Sequence, residues 1–153
     1  MAEILFYHLT EKTLDNALPG LVEKSLGRGW QVVVQASSQE RIEVLDNLLW
    51  TYRDESFLPH GSQKDGTEHL QPIWLTIEPD NPNQAKIRFL VDGAELDDLT
   101  GYDRIVYMFD GHDNAAVEHA RTRWKFHKDA NEAGEHEQTY WQQNPSGGWE
   151  KKA

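Results

Sequence analysis

The chain has 153 residues, a formal net charge of −11, six Trp, five Tyr and five Phe, and no Cys. This length and aromatic content predict a folded domain rather than a disordered chain. The lack of Cys excludes disulfides and thiolate zinc sites and favours the cytoplasm, and no apolar stretch approaches the ~18 residues of a membrane span.

The N-terminal part of the chain alternates strand and helix patterns. The apolar run at residues 3–9 predicts a buried strand, and apolar residues spaced three or four apart over 14–26 predict a helix. Proline belongs in the first turn of a helix, so this helix either starts near Leu18 or is kinked at Pro19. The β-branched run at residues 30–36 predicts the second strand.

A second helix and two further strands follow. Ser38 is a helix-capping residue, and the apolar stripe behind it predicts a helix over 39–50. Periodicity is absent over 51–71, and a connection of that length favours a functional role. Residues 72–78 and 86–93 predict strands, and the turn-rich spacer between them fits either a hairpin or two offset strands.

The last predicted strand covers residues 104–110, and a helix follows over 115–128. Strands that alternate with helices predict an α/β fold, a three-layer sandwich in which helices cover both faces of a mainly parallel sheet of about five strands. We assign residues 1–128 to this single α/β domain. Residues 129–153 are expected to form an irregular C-terminal extension that packs on or near the same domain.

The segment RTRWKFHK, residues 121–128, concentrates four positive charges in an acidic chain. Helical spacing places Arg121, Trp124, Lys125 and Lys128 on one face, at i, i+3, i+4 and i+7. Two interpretations are open: the indole belongs to the core and the charges are a solvated rim, or the face binds a ligand. Carboxylates would suit the cations and an apolar group the indole, as in an acidic peptide that ends in an aromatic residue.

A second group of large apolar residues surrounds the end of the second predicted helix. Part of this group must cover the core. So many large side chains outside regular elements also indicate a protein interface, where aromatic residues dominate the binding energy. The group comprises Trp50, Tyr52, Phe57, Leu58 and Pro59.

Sequence motifs for nucleotide hydrolysis, dinucleotide binding and serine nucleophiles are missing, so we predict no catalysis and no cofactor. The alternative is a nucleotide-handling α/β enzyme whose site lies at the C-terminal ends of the strands, near Asp110 and His112. These two residues with Asp113 and His119 would be candidate metal ligands, but helix capping and solvated charge explain them better.

Nucleic-acid binding is a third hypothesis. Bases would stack on Trp124, Trp141 and Trp149, and such binding would depend steeply on salt. The net charge of −11 repels the phosphate backbone, so we expect no strong direct binding of nucleic acid.

Four motifs in their order and spacing resemble the chi subunits of bacterial DNA polymerase III holoenzyme, accessory subunits of the clamp-loader assembly. The motifs are FYHL at 6–9, W-x6-FLPH at 50–60, ARTRWK at 120–125, and TYWQQ followed by GGWEKK near the end. The resemblance covers nearly the whole chain. It implies a non-catalytic replication subunit that binds the acidic C-terminal tail of single-stranded DNA-binding protein.

The resemblance also implies which residues bind each partner. In the family a basic residue, an aromatic residue and a Lys on the last helix bind the acidic tail, which implies Arg121, Trp124 and Lys125 here, with Lys128 on the same face. In some bacteria the psi subunit of the clamp loader is a second partner. Its expected contacts here are Trp50, Phe57, Leu58 and Pro59.

Overall fold

One sheet with helices on both faces organises the chain. The computed structural model describes residues 2–50, 61–62, 71–131 and 134–153. The strands in these ranges are β1 Glu3–Leu9, β2 Val32–Gln35, β3 Gly61–Ser62, β4 Ile73–Thr76, β5 Ile87–Leu90, β6 Arg104–Asp110, β7 Glu137–Gln143 and β8 Trp149–Lys151. The helices are α1 Leu14–Gly27, α2 Gln39–Trp50 and α3 Asn114–Ala130. None of the helices in the described part of the chain combines the length and apolarity that a bilayer crossing requires.

The strand order is β3-β4-β2-β5-β6-β1-β7-β8. Neighbouring strands are parallel except β7 and β8, which are antiparallel. Helices α1 and α2 pack on one face of the sheet and α3 packs on the other. The predicted α/β class, with a mainly parallel sheet between two helix layers, is therefore confirmed.

The sheet is larger than the predicted five strands, because three short or polar strands escaped the sequence patterns. Strand β3 lies within the connection 51–71, and its two residues are too few to show a period. Strands β7 and β8 lie within 129–153, so the expectation of irregular structure there is wrong for these residues. They extend the sheet beyond β1, which makes β1 an interior strand.

Two open alternatives are resolved in the first half of the chain. Helix α1 begins at Leu14, where the Thr13 side chain accepts a hydrogen bond from the backbone N–H of Asn16. Pro19 lies inside this helix, so the alternative start near Leu18 is wrong. Strands β4 and β5 are offset strands rather than a hairpin, since each pairs in parallel with β2 between them.

The sheet separates two hydrophobic clusters. Along β1, Leu5 and Leu9 pack toward α1 and α2, whereas Ile4 and Phe6 pack toward α3. This alternation is what a strand covered on both faces requires. Since β1 lies under α3 and next to β7, it forms the base on which the candidate site is built.

A buried cation connects the central strands to the loops beside them. Arg88 of β5 is fully buried and donates hydrogen bonds to the side chains of Gln35 and Tyr102. It also donates to the carbonyl oxygens of Glu78 and Asp80. Burial lowers the pKa of this guanidinium. These hydrogen bonds fix the segments that follow β4 and precede β6.

Candidate functional site

Helix α3 carries the whole octet that the sequence singles out. Asp113 caps its first turn by accepting hydrogen bonds from the backbone N–H groups of Ala115 and Ala116, at 3.0 and 3.3 Å. Lys128 lies in its last turn, where the helix dipole favours positive charge. The helix packs on β6 and β1, so one side of it faces the core and the other faces solvent.

Part of the positive charge of the octet is internal. Arg123 is buried, and its Nη2 donates to Asp97 Oδ1 at 2.7 Å and to the carbonyl oxygen of Leu96 at 3.0 Å. Its Nε donates to the Tyr107 hydroxyl, which is also 2.7 Å from His127 Nε2. Arg123 and His127 therefore lie on the core side of α3, separate from the predicted binding face, as the helical spacing indicates.

The remaining members form what we call the cationic face: Arg121, Trp124, Lys125 and Lys128. The three cations are exposed and the indole between them is half-buried. Lys128 Nζ lies 5.4 Å from the centroid of the indole, within cation–π range. Arg121 Nη1 lies 3.4 Å from Glu118 Oε1, but both side chains are about 70% exposed, so this pair is weak and yields to a better anion.

The indole of Trp124 belongs to the core and to the surface at once. Its ring meets Phe6 edge-on at a centroid distance of 5.2 Å and Tyr140 at 5.8 Å. The carbonyl oxygen of Trp124 accepts a hydrogen bond from Gln138 Nε2 at 2.9 Å. These contacts hold the ring in one orientation while part of its surface stays open, so neither of the two interpretations of the octet excludes the other.

The sequence analysis missed Tyr140, which contacts the indole, and His8, which contacts Tyr140. Tyr140 of β7 lies against Trp124, and its hydroxyl is 2.6 Å from Nδ1 of His8, at the end of β1. Burial raises the pKa of Tyr140. Burial and, after it, the charges of His112 and Arg121 lower the pKa of His8. A signal for β7 was present in Thr139 and the aromatic residues after it, which favour strands.

The ring of His8 occupies space that is free only because residue 111 is glycine. A Cβ atom on Gly111 would lie 2.2 Å from the His8 ring and 2.7 Å from the carbonyl oxygen of Leu9. Only glycine permits the turn after β6 to approach β1 this closely. The position of the His8 ring, and with it the hydrogen bond to Tyr140, therefore depends on a residue without a side chain.

The region named in the enzyme alternative lines a cleft of about 820 Å³ at the carboxyl ends of β1 and β6. Asp110 Oδ1 accepts a hydrogen bond from the backbone N–H of His112 at 2.8 Å, and His112 Nε2 lies 2.7 Å from the carbonyl oxygen of Thr10. Asp113 caps α3. Each of these side chains therefore has a local structural partner at the rim of the cleft.

The described residues offer no arrangement of side chains that supports a metal site at His112 and His119. His112 and His119 both line the cleft, but His119 Nε2 lies 3.6 Å from Glu95 Oε1. Within residues 2–50, 61–62, 71–131 and 134–153, no group of three or more His, Cys, Asp and Glu side chains is arranged to hold a metal ion.

The three tryptophans of the nucleic-acid hypothesis do not share one surface. Trp124 packs against the cluster on the α3 side of the sheet. Trp141 and Trp149 pack against the cluster on the opposite side, where Trp149 stacks on Tyr7 at 4.6 Å. The sheet thus separates Trp124 from the other two, so the three rings do not form one stacking surface.

The second predicted interface lies mostly outside the described residues. Trp50 is the last residue of α2. Phe57, Leu58 and Pro59 fall in the range 51–60, which the structure does not describe. The assignment of this group to a partner stays a prediction.

Comparison with known proteins identifies the family to which the chain is similar. The family model described as DNA polymerase III chi subunit, HolC, matches residues 1–133. A Rickettsia prowazekii (strain Madrid E) protein named "Probable DNA polymerase III subunit chi" is 30% identical over 96 residues, which are 63% of this chain and 58% of that protein. The DNA polymerase III subunit chi of Pseudomonas aeruginosa is 23% identical over 109 residues, 71% of this chain and 75% of that protein. The chain thus spans less than two thirds of the Rickettsia relative.

Proposed function

The chain belongs to the family of DNA polymerase III chi subunits, and from this premise we propose that it is a non-catalytic replication accessory subunit that binds the acidic C-terminal tail of single-stranded DNA-binding protein. It would link the clamp-loader assembly to single-stranded DNA coated by that protein. The proposed binding residues are the members of the cationic face.

The observation that carries the proposal is a half-buried indole with exposed cations around it. Trp124 is held from below by Phe6 and Tyr140, while Arg121 and Lys125 are exposed beside it. An apolar side chain at a peptide terminus would cover the open part of the indole. Carboxylates of the same peptide would pair with the cations, as charge-assisted hydrogen bonds favour.

The expected affinity is modest. Burying an aromatic side chain contributes ~2 kcal/mol, and each charge-assisted hydrogen bond contributes ~1.5 to 3 kcal/mol. Association costs ~4 kcal/mol or more in lost freedom of motion. With one such bond to each of the three cations, the net is about 2.5 to 7 kcal/mol, which corresponds to dissociation constants between about ten millimolar and about ten micromolar. Such a contact would hold a partner that is exchanged repeatedly, as a replication accessory subunit requires.

The test is a titration of a labelled acidic peptide that ends in Pro-Phe. Lys125→Glu should weaken binding by about tenfold or more, because it removes one attraction and adds a repulsion. Lys24→Glu, an exposed residue on α1 at the other face of the sheet, makes the same change in net charge and should leave binding almost unchanged. Equal affinities of the wild type and Lys125→Glu would refute the assigned site.

A second experiment uses the whole partner. Single-stranded DNA-binding protein should bind the chain, and a form without its acidic tail should not. Retained binding without the tail would show that another surface is responsible. The same mixture with the psi subunit would test the second proposed partner, for which Phe57→Ala is the informative variant.

The position of the cleft at Asp110 and His112, at the carboxyl ends of the strands, supports a second candidate function, nucleotide handling. Its lining argues against phosphate, because it carries more carboxylates than cations: Glu11, Asp15, Asp92, Asp110 and Asp113 against Lys12 and Arg41. This candidate predicts that nucleotides raise the melting temperature and that Asp110→Asn alters the effect. Unchanged melting temperatures across a nucleotide panel would remove it.

A further inference from the structure

The residue after strand β8 is a further cation, Lys152, next to Tyr140. Tyr140 of β7 points to the α3 side of the sheet, where its ring meets Trp124. Hydrogen bonding between the two segments continues past Lys151, because the backbone N–H groups of Lys152 and Ala153 both donate to the carbonyl oxygen of Tyr140, at 2.7 and 3.4 Å, and the N–H of Tyr140 donates to the carbonyl oxygen of Ala153 at 3.2 Å. Two residues thus oppose Tyr140, as in a β-bulge. Because Lys151 lies opposite Trp141, the alternation of side chains directs Lys152 to the face of Tyr140, on the α3 side of the sheet.

The neighbouring residue points the other way. Successive side chains of a strand alternate between faces. Lys151 is opposite Trp141, which packs on the far side of the sheet with Trp149 and Tyr7. Lys151 and Lys152 are therefore adjacent in sequence, equal in charge, and separated by the sheet.

We call the surface between helix α3 and the end of strand β8 the α3–β8 corner; the ring contact of Trp124 with Tyr140 and the hydrogen bond of Lys152 to Tyr140 link its two sides. Its first wall is the cationic face, its second wall is the exposed Lys152, and the rings of Trp124 and Tyr140 lie at its base. Lys152 Nζ lies 3.2 Å from Glu150 Oε2, but both side chains are about half exposed. Exposed pairs of this kind are weak, so Lys152 is available to another carboxylate.

We infer that an acidic peptide lies extended in the α3–β8 corner, with an apolar terminal side chain against Trp124 and Tyr140 and carboxylates between the cationic face and Lys152. The inference rests on the proposed function and extends it to two residues outside the family match, which ends at residue 133. It makes Tyr140 and Lys152 determinants of binding.

The geometry of an extended chain explains why two walls are needed. Side chains of an extended peptide alternate between opposite sides at each residue. Consecutive acidic residues would therefore direct one carboxylate toward α3 and the next toward β8. A single row of cations on α3 would serve only every second residue. The hydrogen bond between the Tyr140 hydroxyl and His8 Nδ1, at 2.6 Å, fixes the ring at the base of the corner.

The experiment compares Lys152→Glu with Lys151→Glu, using the full chain and the labelled acidic peptide that ends in Pro-Phe. Both variants make the same change in net charge one residue apart. We expect Lys152→Glu to weaken binding about fivefold to tenfold and Lys151→Glu to change it less than twofold. Glu150→Gln should strengthen binding about twofold, since it removes the competing carboxylate. Glu150, Lys151 and Lys152 are all exposed, so these substitutions should not disturb folding.

The outcomes separate this inference from the proposed function. If Lys125→Glu weakens binding while Lys152→Glu does not, the α3–β8 corner is refuted and the function stands. If Lys151→Glu and Lys152→Glu weaken binding equally, the effect is one of overall charge and the corner is again refuted. If the wild type does not bind the peptide, the proposed function fails and the inference fails with it.

Discussion

From the surroundings of His127 we predict how the free energy of unfolding depends on pH. The ring is buried under α3, and its Nε2 lies 2.7 Å from the Tyr107 hydroxyl. Arg123 Nε donates to the same hydroxyl oxygen at 3.2 Å, and a guanidinium has no acceptor to offer in return. The Tyr107 proton is therefore directed at His127 Nε2, which must be the unprotonated acceptor. Protonation of His127 would place two donors face to face beside a buried guanidinium.

These surroundings lower the pKa of His127 from 6.5 to about 4, chiefly by burial and then by the charge of Arg123, with His136 acting the same way and Asp97 opposing it. Between these two pH values the unfolded chain binds the proton more tightly than the folded one. The part of the folding stability that depends on neutral His127 is therefore fully present above pH ~6.5 and is lost as the pH falls toward 4. The fall in pKa from 6.5 to about 4 corresponds to a loss on the order of 3 kcal/mol once the pH is below 4.

The assay is urea unfolding at pH 7.5, 6.5, 5.5 and 4.5, followed by tryptophan fluorescence, for the wild type and His127→Gln. Glutamine accepts a hydrogen bond from Tyr107 but does not titrate. The wild type should lose more stability than the variant as the pH falls, and the difference isolates His127 from the carboxylates that also titrate. His119→Gln is the control, because its ring is partly exposed and lies beside Glu95. A stability difference between wild type and His127→Gln that does not change with pH would refute the reasoning.

Three further substitutions test the packing around the site, each by urea unfolding. Gly111→Ala should destabilise by about 1 to 3 kcal/mol, because its methyl group meets His8 and a carbonyl oxygen, whereas Gly27→Ala at the end of α1 meets no atom within 4 Å and should be neutral or stabilising. Arg88→Ala should cost about 3 kcal/mol or more, since it removes a fully buried side chain and leaves its acceptors unpaired. Asp113→Ala should cost about 1 kcal/mol by removing the cap of α3. Equal stability of the two glycine variants, or a loss below ~0.5 kcal/mol for either of the others, would contradict these assignments.

The cationic face was predictable because it depends on local geometry alone. Residues three, four and seven positions apart share a side of any helix, so the spacing of Arg121, Trp124, Lys125 and Lys128 was sufficient. The same spacing separated Arg123 and His127 from them. It did not show that these two are buried, because their partners Asp97 and Tyr107 come from other segments and are chosen by the packing of α3 on the sheet.

The surroundings of Trp124 were not predictable for a related reason. His8 and Tyr140 are 132 residues apart in sequence, and only the placement of β7 next to β1 brings them together. The pattern of β7, EQTYWQQ, is weak because each face of the strand carries one aromatic residue among polar ones. Lys152 was unremarkable in the sequence, and the face of the sheet to which its side chain points follows only from the pairing of its neighbour Lys151 with Trp141.

The net charge of −11 has a role under the proposed function. Charges act over a Debye length of about 8 Å at physiological salt, so a ligand is sensitive to the surface immediately around its site. A long polyanion such as DNA would extend beyond the cationic face onto the acidic remainder and be repelled there. A short acidic terminus ends within the face and avoids that repulsion. The contrast between a basic site and an acidic body would therefore select a chain terminus over the nucleic acid that its partner coats.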